Sequence, residues 1–484
     1  MVAESLPSAL ALIGIVILVS SLLSGVIERT GVPQVAIFLL LGAVLGPAGL
    51  RLLDLELESP TVEWIATLGL VLVLFTDAIA MDFGEIRRPR RLLLMILGPA
   101  TLIPAALIAL AAWLLLGFSP LVSLILGAAL ASTDPVMLRG LIRRSSVPAP
   151  VREALRLEGG INDVVLLPII ILGILALGES ENLAAELGRH AVGLFLLGPG
   201  LGALVGFAAI MLLEQIRKRV GVRRDYESLY ALGVAFTAFA AAEAVNGSGF
   251  LAAFAAGVVI ALLDVELCDC FLDYGQATAE MFLLFTFVAF GAGLIWSGLR
   301  FVDVPTLVFA LVALLARTVV LLPALSWIGV DPRNRRIIAW SGPRGLSSLL
   351  LVLLPVFAGV PEGERLFAVT SVVVLLSVAL HGTGVALFLR KIEGAAPKAE
   401  VISAPVTKGP DPDHGVPERI TLEELRQLQA AGWPVILADV RTDRSYRADN
   451  LKAAGAVRLS PDDAVRQARE LGLDHHGTVV LYCA

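Results

Sequence analysis

Apolar residues in this chain come in long runs separated by short polar stretches. Thirteen runs are long enough to cross a bilayer. They centre on residues 9–27, 33–49, 62–81, 92–116, 120–141, 154–177, 191–214, 226–245, 248–264, 275–297, 304–328, 335–358 and 366–389. A hydrocarbon core about 30 Å thick needs roughly 20 apolar residues in helical form. The pattern therefore predicts an all-α polytopic membrane domain over residues 1–392, with about thirteen transmembrane helices. The second and ninth runs are short, which sets an error of one on that number. The first run has no basic residue ahead of it and only Glu4 as a charge, so it reads as a first span and not as a cleaved leader.

The pattern changes after Lys391. Residues 393–418 are rich in Pro, Gly, Ala and charge and read as a linker. Residues 419–484 read as a soluble α/β segment. A Thr421-x-x-Glu424 capping box opens helical spacing from Leu422 to Ala430. Val435 to Val440 and Val479 to Tyr482 have the apolar runs of buried strands. The chain stops at Ala484, just past the second of these strands, and a truncation is expected there.

Composition agrees with the periodicity. The chain of 484 residues is 57% hydrophobic and 17% charged, with mean hydropathy +0.85. A soluble domain is nearer 45–50% apolar and about 25% charged. The net charge of -6 says little, because the charges are segregated. Arg29, Arg87, Arg88, Arg90, Arg91, Arg139, Arg143, Arg144, Arg152, Arg217, Lys218, Arg219, Arg223, Arg224, Arg333, Arg335 and Arg336 fall in or beside alternate loops. The opposite loops hold only Arg51, Arg189, Arg300 and Arg365. The asymmetry predicts an N-terminus outside and a cytoplasmic C-terminus. Cys268, Cys270 and Cys483 give no disulfide framework. Cys268 and Cys270 read as reduced thiols of a cytoplasmic loop, with no second ligand pair for a metal.

Three places inside the apolar runs carry polar groups where an ionised side chain costs about 2.5–3.5 kcal/mol even on the lenient insertion scale. In Leu157-Glu158-Gly159-Gly160-Ile161-Asn162-Asp163, Glu158 and Asn162 share a helix face, and Asp163 points about 100° further round. Glu158 and Asp163 should face different partners. In Ala131-Ser132-Thr133-Asp134-Pro135, Pro135 removes a backbone donor, and Thr133 and Asp134 offer oxygens to the freed groups. In Trp340-Ser341-Gly342-Pro343-Arg344-Gly345, two glycines and a proline break a second helix. Asp134 serves either this helix break or an ion. Asp77 either bonds a neighbouring helix or lies on an ion path. His381 reads as a packed polar residue.

With the seventh span as connector, spans one to six and eight to thirteen form two six-helix halves, each with its fifth helix broken. Paired interrupted helices in matching positions point to inverted repeats and a transport site at the midplane. Arg317 is the remaining charge deep in a span. Glu158 is its expected partner, in a structural ion pair, which leaves Asp163 as the group that turns over.

The spans resemble the monovalent cation:proton antiporters of the sodium/proton exchanger type. The residues that carry this are Thr133-Asp134-Pro135, Glu158 with Asn162-Asp163, Ser248-Gly249-Phe250-Leu251 with Phe254-Ala255-Ala256-Gly257, Arg317, and Trp340-Ser341-Gly342-Pro343-Arg344-Gly345. The resemblance implies crossed broken helices around the site, with Pro135, Gly342, Pro343 and Arg344 at the breaks. It also implies a Glu158–Arg317 pair, alternate binding of cation and proton at Asp163, and a homodimer. One departure is Gly159, where some members carry a hydroxyl residue. The last segment resembles a rhodanese-like domain through Asp439-Val440-Arg441, Gly455-Ala456 and Leu481-Tyr482-Cys483. That resemblance makes Cys483 a sulfur acceptor in an incomplete loop.

The expected function is secondary active exchange of Na⁺ or Li⁺ for H⁺ across a plasma or inner membrane. Na⁺ sits at Asp163, helped by Asn162, Thr133, Asp134 and Asp77, and exchange is one for one and electroneutral. The partners are the two ions, the lipid bilayer and a second copy of the chain; no cofactor and no nucleic acid are expected. A K⁺/H⁺ exchanger would use the same residues. A membrane-anchored sulfur-handling protein is the alternative of another class.

Overall fold

The computed structural model describes residues 14–15, 18–19, 22, 34–47, 49–53, 56–57, 59–81, 95, 98–142, 147–178, 183–220, 222, 224–263, 276–382, 384, 425–426, 435–441, 446, 452–460, 464–473 and 478–482. Its contacts divide the chain into two compact units, Met1–Arg143 with Val147–Leu387, and Arg144–Ser146 with Phe388–Ala484.

Among its described residues the first unit holds helices and no strand. Its helices are α1 (Gln34–Leu45), α2 (Pro60–Ala80), α3 (Pro99–Ala111), α4 (Pro120–Ala131), α5 (Pro135–Ile142), α6 (Ala149–Leu177), α7 (Leu183–Val192), α8 (Gly198–Arg219), α9 (Arg224–Glu243), α10 (Gly249–Leu263), α11 (Gln276–Gly291), α12 (Val304–Trp327), α13 (Pro332–Trp340), α14 (Leu346–Phe357) and α15 (Gly363–Ser377). Among the described residues six helices are long and apolar enough to cross a membrane, or seven if the bent pair Phe282–Gly291 and Leu294–Phe301 is one span. The apolar runs from 33–49 onward each meet a helix or a broken pair of helices. The run at 9–27 lies largely outside the described residues, so thirteen remains a number read from the sequence.

Local chemistry sets the helix starts. Ser59 and Ser119 each accept a backbone N–H three residues on, at 3.3 Å. Pro60 and Pro120 follow them, where a missing N–H costs nothing. Asp303 caps α12 through Thr306 N–H at 2.8 Å, and Asp331 caps α13 through Arg333 N–H at 2.9 Å. The 24 residues of α12 span about 36 Å at 1.5 Å each, enough to cross the hydrocarbon core.

Small residues let the helices approach. A Cβ on Gly202 of α8 would fall 2.0 Å from the Ala252 carbonyl oxygen of α10. On the other side of α10, a Cβ on Gly257 would meet the Phe75 carbonyl of α2 at 2.9 Å. The motif residues 248–257 therefore seat α10 between α8 and α2, by the close backbone packing usual for helices in lipid. Two apolar clusters are buried in this unit, one with Phe38, Phe287, Phe309 and Phe367 and the other with Phe75.

The second unit holds a three-stranded parallel sheet, β1 (Val435–Asp439), β2 (Val457–Arg458) and β3 (Thr478–Tyr482), in the order β2-β1-β3. A short helix, α16, covers Ala464–Glu470. Asp439 at the end of the central strand pairs with Arg441 at 2.8 Å and accepts from Tyr482 Oη at 3.2 Å. Tyr446 lies under the guanidinium groups of both Arg441 and Arg458. Cys268, Cys270, Cys483 and most of the expected helix at 422–430 lie outside the described residues.

Candidate functional site

Two helix breaks meet inside the first unit. One lies between α4 and α5, the other between α13 and α14. Ser132 leaves α4 in an extended conformation, and Pro135 is the first residue of α5, a place where proline suits a helix start.

Each break is answered by groups from the other. The Asp134 N–H donates to the Pro343 carbonyl at 2.9 Å. Asp134 Oδ2 accepts from the Leu346 N–H at 2.9 Å and so caps α14. The sequence suggested that Thr133 and Asp134 would serve their own broken helix. The carbonyls freed at the end of α4 need donors, however, and a carboxylate only accepts. Those donors come from elsewhere. Arg344 NH1 donates to the Ala131 and Ser132 carbonyls at 2.5 and 2.9 Å. Asn162 Nδ2 donates to the Ala131 carbonyl at 3.1 Å and lies 3.5 Å from Thr133 Oγ1. The cation thus sits at the negative end of α4 and the carboxylate at the positive end of α14, the favourable sense at both ends.

Glu158 and Arg317 form a two-pronged pair between α6 and α12, and both are buried. Arg317 also donates to the Ile338 and Ala339 carbonyls at 2.7 and 2.9 Å, and Thr318 Oγ1 donates to Ala339 at 3.0 Å. The pair therefore stabilises the last turn of α13 as well. Gly342 leaves room for it, since a Cβ there would fall 2.5 Å from Arg317 Cδ.

Asp163 is 1% exposed. Its Oδ1 accepts from Ser132 Oγ at 2.5 Å, and the side chain of Ser347 faces the same carboxylate. Asp163 Oδ2 and Asn162 Oδ1 are buried without a hydrogen-bond partner. Leaving such an acceptor unmet costs about 1–3 kcal/mol, so these oxygens suit a ligand. Asp77 stands on α2, half-buried, with its carbonyl oxygen 3.4 Å from where a Cβ of Gly160 would lie, about one turn before Asp163.

Three serines escaped the reading of motifs. Ser132 stands inside the first break. Ser347 follows the second break by two residues. Ser377 accepts from the Arg344 N–H at 2.7 Å and lies 3.2 Å from His381 Nδ1. His381, buried beside the Trp340 ring, packs behind the second break. Position next to a break was the available signal for Ser132 and Ser347; nothing local marks Ser377.

The profile of the transmembrane sodium/hydrogen exchanger family matches residues 15–391. The chain belongs to that family. This exchanger is accordingly an integral membrane antiporter and not an enzyme. The K(+)/H(+) antiporter NhaP of Alkalimonas amylolytica is 26% identical to it over 401 residues, 82% of this chain and 68% of that protein. The Na(+)/H(+) antiporter NhaP of Pseudomonas aeruginosa is 25% identical over 400 residues, 75% of this chain and 90% of that one. A solved structure of the sodium proton antiporter MjNhaP1 from Methanocaldococcus jannaschii shares the fold, with TM-score 0.63 at 20% identity over 78% of this chain and all of that chain. The substrates of the family are a monovalent cation and the proton.

Proposed function

We propose that this exchanger moves Na⁺ or Li⁺ against H⁺, one for one and without net charge, by alternating access around Asp163. The observation that carries the reading is the contrast among the buried charges. Glu158 is matched by Arg317. Asp134 and Arg344 each hold a helix end of opposite sign. Asp163 alone of these keeps a carboxylate oxygen with no hydrogen-bond partner.

A carboxylate in such a place is compensated only when it holds a proton or a cation, so the carrier crosses cheaply in those two states alone. Competition for one group then produces exchange. Asn162 and Thr133 orient the end of α4 beside the site, and Asp134 and Arg344 with Pro135, Gly342 and Pro343 hold the breaks open. Asp77 lies on the approach to it. The two broken helices belong to inverted repeats, the exchanger works as a homodimer in a plasma or inner membrane, and its N-terminus is outside and its C-terminus cytoplasmic.

K⁺/H⁺ exchange is the second reading, favoured by relatives that carry that activity in their names. It uses the same residues, because cation choice rests on cavity size and ligand number. Sulfur handling at Cys483 is set aside as the main function, since the family match covers the membrane unit. The deciding experiment is ΔpH-driven exchange in proteoliposomes with Na⁺, Li⁺ and K⁺ compared. A sustained current under a cation gradient, with leak excluded, would overturn electroneutrality.

A further inference from the structure

A dehydrated alkali cation needs several oxygen ligands, and α6 supplies few of them around Asp163. Positions 159 and 160 are glycine, 161 is Ile, and 164 to 167 are Val, Val, Leu and Leu. No hydroxyl lies on that helix within a turn of the carboxylate. The nearest hydroxyls come from the two broken helices. Ser132 Oγ touches Asp163 Oδ1 at 2.5 Å, and Ser347, in the first turn of α14, turns its side chain to the same carboxylate. Both serines are fully buried.

We propose that Ser132 and Ser347 are ligands of the transported cation and set the choice among alkali ions at the Asp163 site. The inference rests on the reading of Asp163 as the exchange site. A hydroxyl is one donor and two acceptor lone pairs. In the structure the Ser132 hydroxyl donates to Asp163 Oδ1. When a cation sits against Oδ2, the hydroxyl hydrogen rotates away and a lone pair turns to the ion. No backbone movement is needed.

The surroundings hold Ser132 still while leaving its hydroxyl available. Its carbonyl is taken by Arg344 NH1 at 2.9 Å and by Ser348 Oγ at 3.3 Å, so the side-chain oxygen is its remaining polar group directed at the site. Oxygens fixed in this way discriminate by size, because a rigid cage fits one ionic radius better than another. Ligands drawn from α4, α6 and α14 also mean that an occupied site ties both broken helices to the helix that carries the carboxylate.

The test is ΔpH-driven exchange by the full-length protein in proteoliposomes, with KM and Vmax measured for Na⁺, Li⁺ and K⁺. The variants are Ser132→Ala, Ser347→Ala and Ser132→Thr, with Asp163→Asn in parallel. Loss of one ligand to a charged centre should raise KM about tenfold for the preferred cation, with Vmax within about twofold, and change the order of the three cations. Ser132→Thr keeps the hydroxyl and should keep the wild-type order. Should Ser132→Ala fail to fold, Ser347→Ala and Ser132→Thr still decide the matter. Unchanged KM values and order in both alanine variants would overturn the proposal, as would a fall in Vmax equal for all three cations. If Asp163→Asn still exchanges, the reading of Asp163 fails first. If it is dead while the serine variants keep wild-type KM values, the ligand assignment alone fails.

Discussion

Gly345 lies directly under the carboxylate of Asp134: a Cβ built on it would fall 1.9 Å from Oδ2. That oxygen is the one that caps α14 through the Leu346 N–H. The glycine of the second break is therefore required by the aspartate of the first. Gly345→Ala should displace the carboxylate, uncap α14 and cost about 1–3 kcal/mol, as overpacking does. Thermal unfolding in detergent should show a lower midpoint, and exchange activity should fall with it. Asp134→Asn, which keeps an acceptor in the same place, should be milder than Asp134→Ala in both measurements.

The Glu158–Arg317 pair predicts a smaller loss in the double variant than in either single one. Removing one partner leaves the other charge buried and unmet, at about 3–5 kcal/mol. Glu158→Gln and Arg317→Met should each lower the unfolding midpoint strongly. Glu158→Leu combined with Arg317→Met should recover part of that loss, because no isolated charge remains. The recovery should be incomplete, since Arg317 also serves the Ile338 and Ala339 carbonyls. A double variant no better than the worse single one would show that the pair is not an isolated unit.

Asp163→Asn should abolish cation/proton exchange while leaving the unfolding midpoint close to that of the wild type, because the amide still accepts from Ser132. On the proposed mechanism, proton and cation compete for one carboxylate in the wild type. On the acid side of its titration the cation KM should then rise about tenfold for each pH unit, with Vmax unchanged at saturating cation. A KM flat across the acid range would exclude a shared site.

Asp303 gives a pH dependence outside the membrane-spanning segments. The Thr306 bonds that it receives hold its carboxyl below the ordinary value of 3.8, with Arg365 adding to the same effect. A depressed folded-state value means that the cap contributes fully above the unfolded value and is lost as pH falls through the lower, folded one. Amide exchange at Thr306, corrected for intrinsic rates, should lose protection in that acid window. Asp303→Asn should show no such step.

Particular residues show how far the sequence reaches. Runs of apolar residues, prolines after Ser59 and Ser119, and the interruptions at Pro135 and Pro343 place most of the helices and both breaks, because these signals act within a few residues of where they stand. The hydropathy of the run at Leu314–Val319 made Arg317 conspicuous, and so did the cost of isolating it. Charge alone made Glu158 its expected partner. The roles of Asp134 and Arg344 were not legible, since each serves the helix end of the other break, more than 200 positions along the chain. Ser132 and Ser347 carry no mark of their own in the sequence, because a serine in an apolar helix has no distinctive periodicity.

By itself the sequence determined that this is a polytopic helical exchanger with a carboxylate where water is scarce. Local propensity and the cost of desolvation are properties of short stretches, and they can be summed along a chain. Only the tertiary structure decided which end of each broken helix meets which charge, and which hydroxyls stand at Asp163. Hydrogen bonds act over about 3 Å, and which groups come that close depends on how distant helices pack.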